Sequence, residues 1–210
     1  AGKSTLGKII AGIYRPNSGR LFLDGVEVEH RTPIEAAEAG IGIVHQELAF
    51  CPNLTVAENL FLGAVPSSHG LVRWGEMRTR TRSMLRNVGL DVDPWTPMSE
   101  LSTGQEQLVQ IALAVGRHAR IIIMDEPTSS LSQTEAERLF EILRRLRADG
   151  VTILYVSHRL EEITRLSDCV SVLRDGRYID TLVTARTSTD EIVRLMIGRP
   201  VEEYFPAHIG

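Results

Sequence analysis

Two short stretches carry residues whose types and spacing could do chemistry. In Ile121-Ile122-Ile123-Met124-Asp125-Glu126-Pro127, four apolar residues, three of them β-branched, lead into two adjacent carboxylates and a proline. Such a run suits a strand buried on both faces of a parallel sheet, and the proline cannot continue its ladder. In open α/β sheets ligands bind beyond the carboxyl ends of the strands, so Asp125 and Glu126 should emerge at a ligand site. Adjacent carboxylates repel each other, and a cation would justify the pair. The cation implied is Mg²⁺ with a nucleotide, because the chain opens on Ala1-Gly2-Lys3-Ser4-Thr5, the back half of a phosphate-binding loop. There, Gly2, Lys3, Ser4 and Thr5 begin a helix whose N–H groups hold phosphate oxygens. Lys3 would then neutralise the β- and γ-phosphates, and the Ser4 hydroxyl would coordinate Mg²⁺.

Other candidates also stand at element ends. Gln46 follows the apolar run Ile41–His45, where its amide oxygen could face a metal or an attacking water. His158 follows a third apolar run, Val151–Val156. Ser102, Gly104 and Gln105 open a helix over Leu108–Val115; Ser102 is placed to cap it with Gln105 at the reciprocal position, making an anion-binding face.

The elements that must position these residues follow from turn and cap signals. A first helix runs to about Ala11 and stops at Gly12. Asp24-Gly25 and Asp175-Gly176 each centre a hairpin, over Ser18–Val28 and over Cys169–Leu173 with Tyr178–Val183. Thr32–Ala39 is a short helix ending at Gly40. From Leu48 to about Arg117 the strand pattern is absent, and helices begin at the Thr55/Glu58 capping box and at Met77. Ser132 and Glu135 form a further box, opening a helix with Leu139, Ile142, Leu143 and Leu146 on one stripe. Ser188 and Glu191 open the last helix, closed by Gly198.

At 210 residues the chain can bury a sizeable core. Its formal net charge of −4 argues against a general polyanion binder. Arg73, Arg78, Arg80, Arg82 and Arg86, without an aromatic platform, read as a solvated helix face. Cys51 and Cys169 lack metal-ligand spacing and read as reduced thiols. No apolar run has the ~20 residues needed to cross a bilayer.

Taken in order, Gly-Lys-Ser-Thr, the strand-end Gln46, Leu101-Ser102-Thr103-Gly104-Gln105 and Asp125-Glu126-Pro127-Thr128 resemble the nucleotide-binding subunit of an ABC transporter over nearly the whole chain. The resemblance implies an α/β P-loop NTPase with a mostly parallel core sheet, a small antiparallel β subdomain and an inserted helical subdomain. Residues 1–47 and 116–185 would form the ATPase core, 48–115 the helical subdomain, and 186–210 a helix and linker. His45-Gln46-Glu47-Leu48, Thr55 to Gly63 and Ile197-Gly198-Arg199 resemble the first cassette of tandem-cassette importers of ribose, xylose or galactose. The chain then reads as a fragment lacking the front of its phosphate loop. Thr103 stands where many of these proteins have glycine, and the Ser129–Ser132 run lacks the aspartate many of them place there.

The resemblance implies ATP and Mg²⁺ as cofactors. Ser4 would bind the metal directly, Asp125 through water, and Gln46 would sense both. Glu126 would activate the water and His158 would contact the γ-phosphate. Ser102, Gly104 and Gln105 would serve the ATP of a partner cassette. Expected partners are a second cassette, two membrane permease subunits and, indirectly, an exported sugar-binding protein, with no nucleic acid. The place would be the cytoplasmic face of the membrane. Two alternatives remain at this point: a soluble ABC ATPase of translation or DNA maintenance, and a non-catalytic remnant acting as an interaction module.

Overall fold

The computed structural model describes residues 2–44 and 50–198. Helix α1 (Lys3–Ile10) stops where Gly12 turns left-handed, at φ +70°. Strands β1 (Leu21–Leu23) and β2 (Val26–Val28) pair antiparallel across Asp24 and Gly25, whose φ values of 51° and 80° match a two-residue hairpin. Helix α2 (Pro33–Glu38) is capped by the Thr32 hydroxyl, and β3 (Ile41–Val44) follows. Helix α3 (Val56–Leu60) begins with the Thr55/Glu58 capping box.

Strands β4 (Ser67–Ser68) and β5 (Leu71–Val72) form a small hairpin inside the stretch read as free of strands. His69 and Gly70 supply its left-handed turn. Two exposed residues per strand leave too little alternation to be seen in sequence.

Helices α4 (Trp74–Asn87) and α5 (Thr103–Gly116) precede β6 (Ile121–Asp125). Then come α6 (Gln133–Ala148), β7 (Thr152–Val156) and α7 (Leu160–Leu166). The antiparallel pair β8 (Cys169–Arg174) and β9 (Arg177–Val183) and helix α8 (Thr189–Ile197) close the described chain.

Strands β3, β6 and β7 form one parallel sheet with β6 in the middle. Ile122 and Met124 face a large cluster with Val109, Ile111, Ala112, Leu139 and Ile142, so α5 and α6 cover that side. Ile123 faces a second cluster with Ala11, Ala36 and Ile41, beside α1 and α2. Ile122, Ile123 and Met124 are fully buried, each stabilising the fold by about 1.5–3 kcal/mol. The expected strand buried on both faces is therefore β6. The third strand departs from its expectation: Thr152 and Leu154 of β7 are exposed. Only β6 pairs with β7 among the described residues, so its apolar composition did not translate into full burial.

Helices α3 and α4 join the large cluster through Val56, Leu60, Met77 and Leu85. Four of the five arginines of α4 and its approach pair with acids: Arg73 and Arg80 with Glu76, Arg78 and Arg82 with Asp93. Buried Asn59 pins the preceding loop by accepting from the Cys51 N–H and donating to the carbonyls of Cys51, Leu54 and Thr55. Both cysteines are free and exposed. Among the described residues no helix is long and apolar enough to cross a membrane.

Candidate active site

Parallel pairing fixes what meets at the sheet's carboxyl edge. Asp125 on β6 lies opposite Val156 on β7. The Glu126 N–H donates to the Val156 carbonyl at 2.8 Å, carrying the ladder one residue past the strand. Glu126, next after Asp125, and His158, two residues after Val156, therefore start neighbouring loops. Their side chains touch, with His158 Nδ1 3.1 Å from Glu126 Oε1. A carboxylate only accepts, so this contact is a hydrogen bond when Nδ1 carries the proton, and Nε2 is left for another partner. Glu126 sits at φ 49°, a left-handed conformation that costs a non-glycine residue about 1–2 kcal/mol.

Helix α1 reaches the same edge by close packing. A Cβ on buried Gly7 would lie 3.1 Å from Ile123 Cγ2, so the helix rests directly on β6. Ser4 lies one turn before Gly7, and Asp125 lies two residues after Ile123 on the same strand face. The Ser4 hydroxyl donates to Asp125 Oδ1 at 2.8 Å, across 121 positions of sequence. Asp125 is 9% exposed, and a buried carboxylate needs such a donor. Gly2 precedes α1 at φ 97° without a side-chain cap, unlike Thr32, Thr55, Ser102, Ser132 and Ser188 at their own helices. Among the described residues, no N-cap side chain accepts from the first-turn N–H groups of α1, the turn that holds Lys3, Ser4 and Thr5.

Two pairs, Ser4–Asp125 and Glu126–His158, therefore converge at one edge. Gln46 lies outside the described residues, as do His45, Glu47 and Leu48. Ser102, Gly104 and Gln105 lie elsewhere, in a cavity of about 300 Å³ shared with Leu131, Glu135 and Arg138. There the capping box is complete: Ser102 Oγ accepts from the Gln105 N–H, and Gln105 Oε1 accepts from the Ser102 N–H at 2.9 Å. The Glu135 carboxylate already sits at this helix N-terminus, with Oε1 3.5 Å from Ser102 Oγ and so close to Gly104 that a Cβ there would collide with it. Hydrogen bonds from the Ser132 hydroxyl and N–H hold the Glu135 carboxyl below the usual carboxylate range.

Sequence reasoning missed Glu162, one of the few buried charged residues, which accepts from Thr128, Tyr155 and Ser157. The signal was weak: Glu161 and Glu162 are adjacent and alike, and only packing separates the exposed one from the buried one.

The family described as ABC transporter matches residues 1–129. The chain is 47% identical over 207 residues to the ribose import ATP-binding protein RbsA of Chromobacterium violaceum, covering 98% of this chain and 41% of that protein. It is 46% identical to the arabinose import ATP-binding protein AraG of Mannheimia succiniciproducens, covering all of this chain and 43% of that one. The chain thus spans about two-fifths of the length of the curated relatives it matches. Among solved structures, a nucleotide-free ATP-binding cassette from an ABC transporter superposes with a TM-score of 0.77 at 27% identity, covering 96% of this chain and 83% of that one. A dimeric post-hydrolysis cassette bound to ADP and Pi gives 0.72 at 28% identity, covering 87% and 80%. With the fold of these cassettes and a family match over more than half its length, this chain belongs to the ABC transporter family.

Proposed function

We propose that this chain is the ATP-binding cassette of a monosaccharide importer, and that it binds and hydrolyses ATP against a second cassette. The observation that carries the reading is the meeting of Ser4–Asp125 and Glu126–His158 at one sheet edge, beside the N-terminus of α1. The N–H groups after Gly2, with Lys3 and Thr5, hold the phosphates. Ser4 and Asp125 offer only oxygen atoms, the donor chemistry that suits Mg²⁺, which needs one or two such protein groups beside phosphates and water. When bound, that ion would offset the charge of the β- and γ-phosphates.

Glu126 orients the attacking water and accepts its proton, while His158 holds the carboxylate through Nδ1 and turns Nε2 to the γ-phosphate. Gln46, two residues after β3, completes this set. Positioning and charge stabilisation are most of what phosphoryl transfer needs, so these groups govern turnover more than fold. Ser102, Gly104 and Gln105 serve the nucleotide of the second cassette, at a helix terminus where a carboxylate, itself an anion, already rests.

Residues 1–47 and 116–185 form the ATPase core, and 48–115 form the helical segment that docks on two permease subunits at the cytoplasmic face of the membrane. Residues 186–210 lead toward a second cassette in the same polypeptide, a reading supported by the share of the relatives that the chain spans. Relatives named for ribose and arabinose import support a sugar as cargo, delivered by an external binding protein.

The test is reconstitution of the complete ATPase with its permease in proteoliposomes. Uptake of ribose, arabinose or galactose should require ATP, and Glu126→Gln should retain nucleotide while turnover falls about 10²–10⁴-fold. Undiminished hydrolysis in that variant, or hydrolysis coupled to no sugar, would overturn the proposal.

A further inference from the structure

The loops that carry Glu126 and His158 leave different strands, and something must hold them in register. Past Glu126 the chain turns tightly, with the Ser129 N–H donating to the Glu126 carbonyl and the Leu131 N–H to that of Thr128. This turn points Thr128, 2% exposed, into the protein. Past His158, α7 begins at Leu160 and brings Glu162 back beneath both loops within its first turn.

Glu162 is 6% exposed, and both of its oxygens are engaged. Oε1 accepts from Thr128 Oγ1 at 2.7 Å, and Arg159 Nη1 stands 3.4 Å away. Oε2 accepts from Tyr155 at 2.8 Å and from Ser157 Oγ at 3.0 Å. Ser157 Oγ in turn accepts from the Arg159 N–H at 2.9 Å, clamping the backbone on both sides of His158. A buried carboxylate is expensive unless fully hydrogen-bonded. Here the donors come from three places: the loop after β6, the strand β7, and the loop after β7. One carboxylate therefore bridges the two loops whose tips place Glu126 and His158 3.1 Å apart.

We infer that Glu162 is a positioning residue for hydrolysis: it locks the Thr128 loop to the Ser157 loop and so sets Glu126 against His158. Its role runs through Thr128 and Ser157, to which its oxygens are bonded. The inference rests on the catalytic reading above, because it concerns the alignment of the two groups assigned there.

The variants are Glu162→Gln, which disturbs the whole bridge, and Thr128→Val, which cuts only the β6 side and leaves α7 tied to Ser157 and Tyr155. Two measurements are made on the complete ATPase assembled with its permease. The first is steady-state hydrolysis, where a misalignment of the order of an ångström costs about 10–100-fold. Both variants should lose kcat on that scale, with KM for ATP changing less than about threefold. The second is the ¹⁵N–¹H resonance of the His158 ring in nucleotide-free protein. Wild type should show a hydrogen-bonded Nδ1–H that both variants lose, although His158 itself is unchanged.

A fall in melting temperature with kcat and the ring resonance both preserved would show a merely structural role and overturn the inference. So would either readout staying at its wild-type value in both variants. If His158→Ala and Glu126→Gln themselves leave hydrolysis untouched, the catalytic reading fails first, whatever Glu162 does.

Discussion

The left-handed backbone at Glu126 can be tested apart from its carboxylate. At φ 49° any L side chain is strained by about 1–2 kcal/mol, and glycine is not. Glu126→Ala and Glu126→Gly both delete the carboxylate and its 3.1 Å contact with His158, so those losses cancel in a comparison of the two. What remains is the strain that alanine keeps and glycine relieves, against the roughly 0.4–1 kcal/mol by which glycine's freedom stabilises the unfolded chain. The difference should favour Glu126→Gly by about 0.5–1 kcal/mol. For a chain of this size, a melting point moves about 2–4 °C per kcal/mol. Glu126→Gly should then melt roughly 1–4 °C above Glu126→Ala, measured by calorimetry and by urea unfolding of the same preparations. On the catalytic role proposed for Glu126, both should be equally inactive in ATP hydrolysis. Strain held at a residue that chemistry needs is a pattern of functional sites. An alanine variant as stable as the glycine variant, or more so, would refute the reasoning.

Two further outcomes follow from single contacts. Burial, and then the hydrogen bond to Glu162, push the Tyr155 hydroxyl above its ordinary pKa near 10. The folded chain thus keeps this proton at a pH where the unfolded chain loses it; the stabilisation is present below pH 10 and is lost as pH rises beyond it. Urea unfolding should show stability declining above about pH 10, with Tyr155→Phe flatter there by up to about 1.4 kcal/mol per pH unit; parallel curves would contradict the assignment. At the other cavity, a Cβ on Gly104 would meet Glu135 Oε1, so Gly104→Ala should expel the carboxylate from its cap on α6 at a cost of about 1 kcal/mol. Adding Glu135→Ala should then cost almost nothing more, and additive losses in a double-mutant cycle would show that the two do not touch.

The sequence by itself determined the local chemistry. Capping boxes at Thr55/Glu58, Ser102/Gln105 and Ser132/Glu135 stand where the spacing requires, because a cap is closed within four residues. Asp24-Gly25 and Asp175-Gly176 turn their hairpins for the same reason: the left-handed pair is a property of two residues. The apolar run ending at Asp125 marked the central strand. Only the tertiary structure decided what the strand ends meet. Among the described residues, strand order makes β6 central and β7 outermost, with Leu154 of β7 exposed, though the two runs look alike. It brings Ser4 to Asp125 across 121 residues and buries Glu162 while leaving Glu161 in solvent. Such pairings depend on which strand lies beside which, a choice made by the packing of the whole core and written in no window of a few residues.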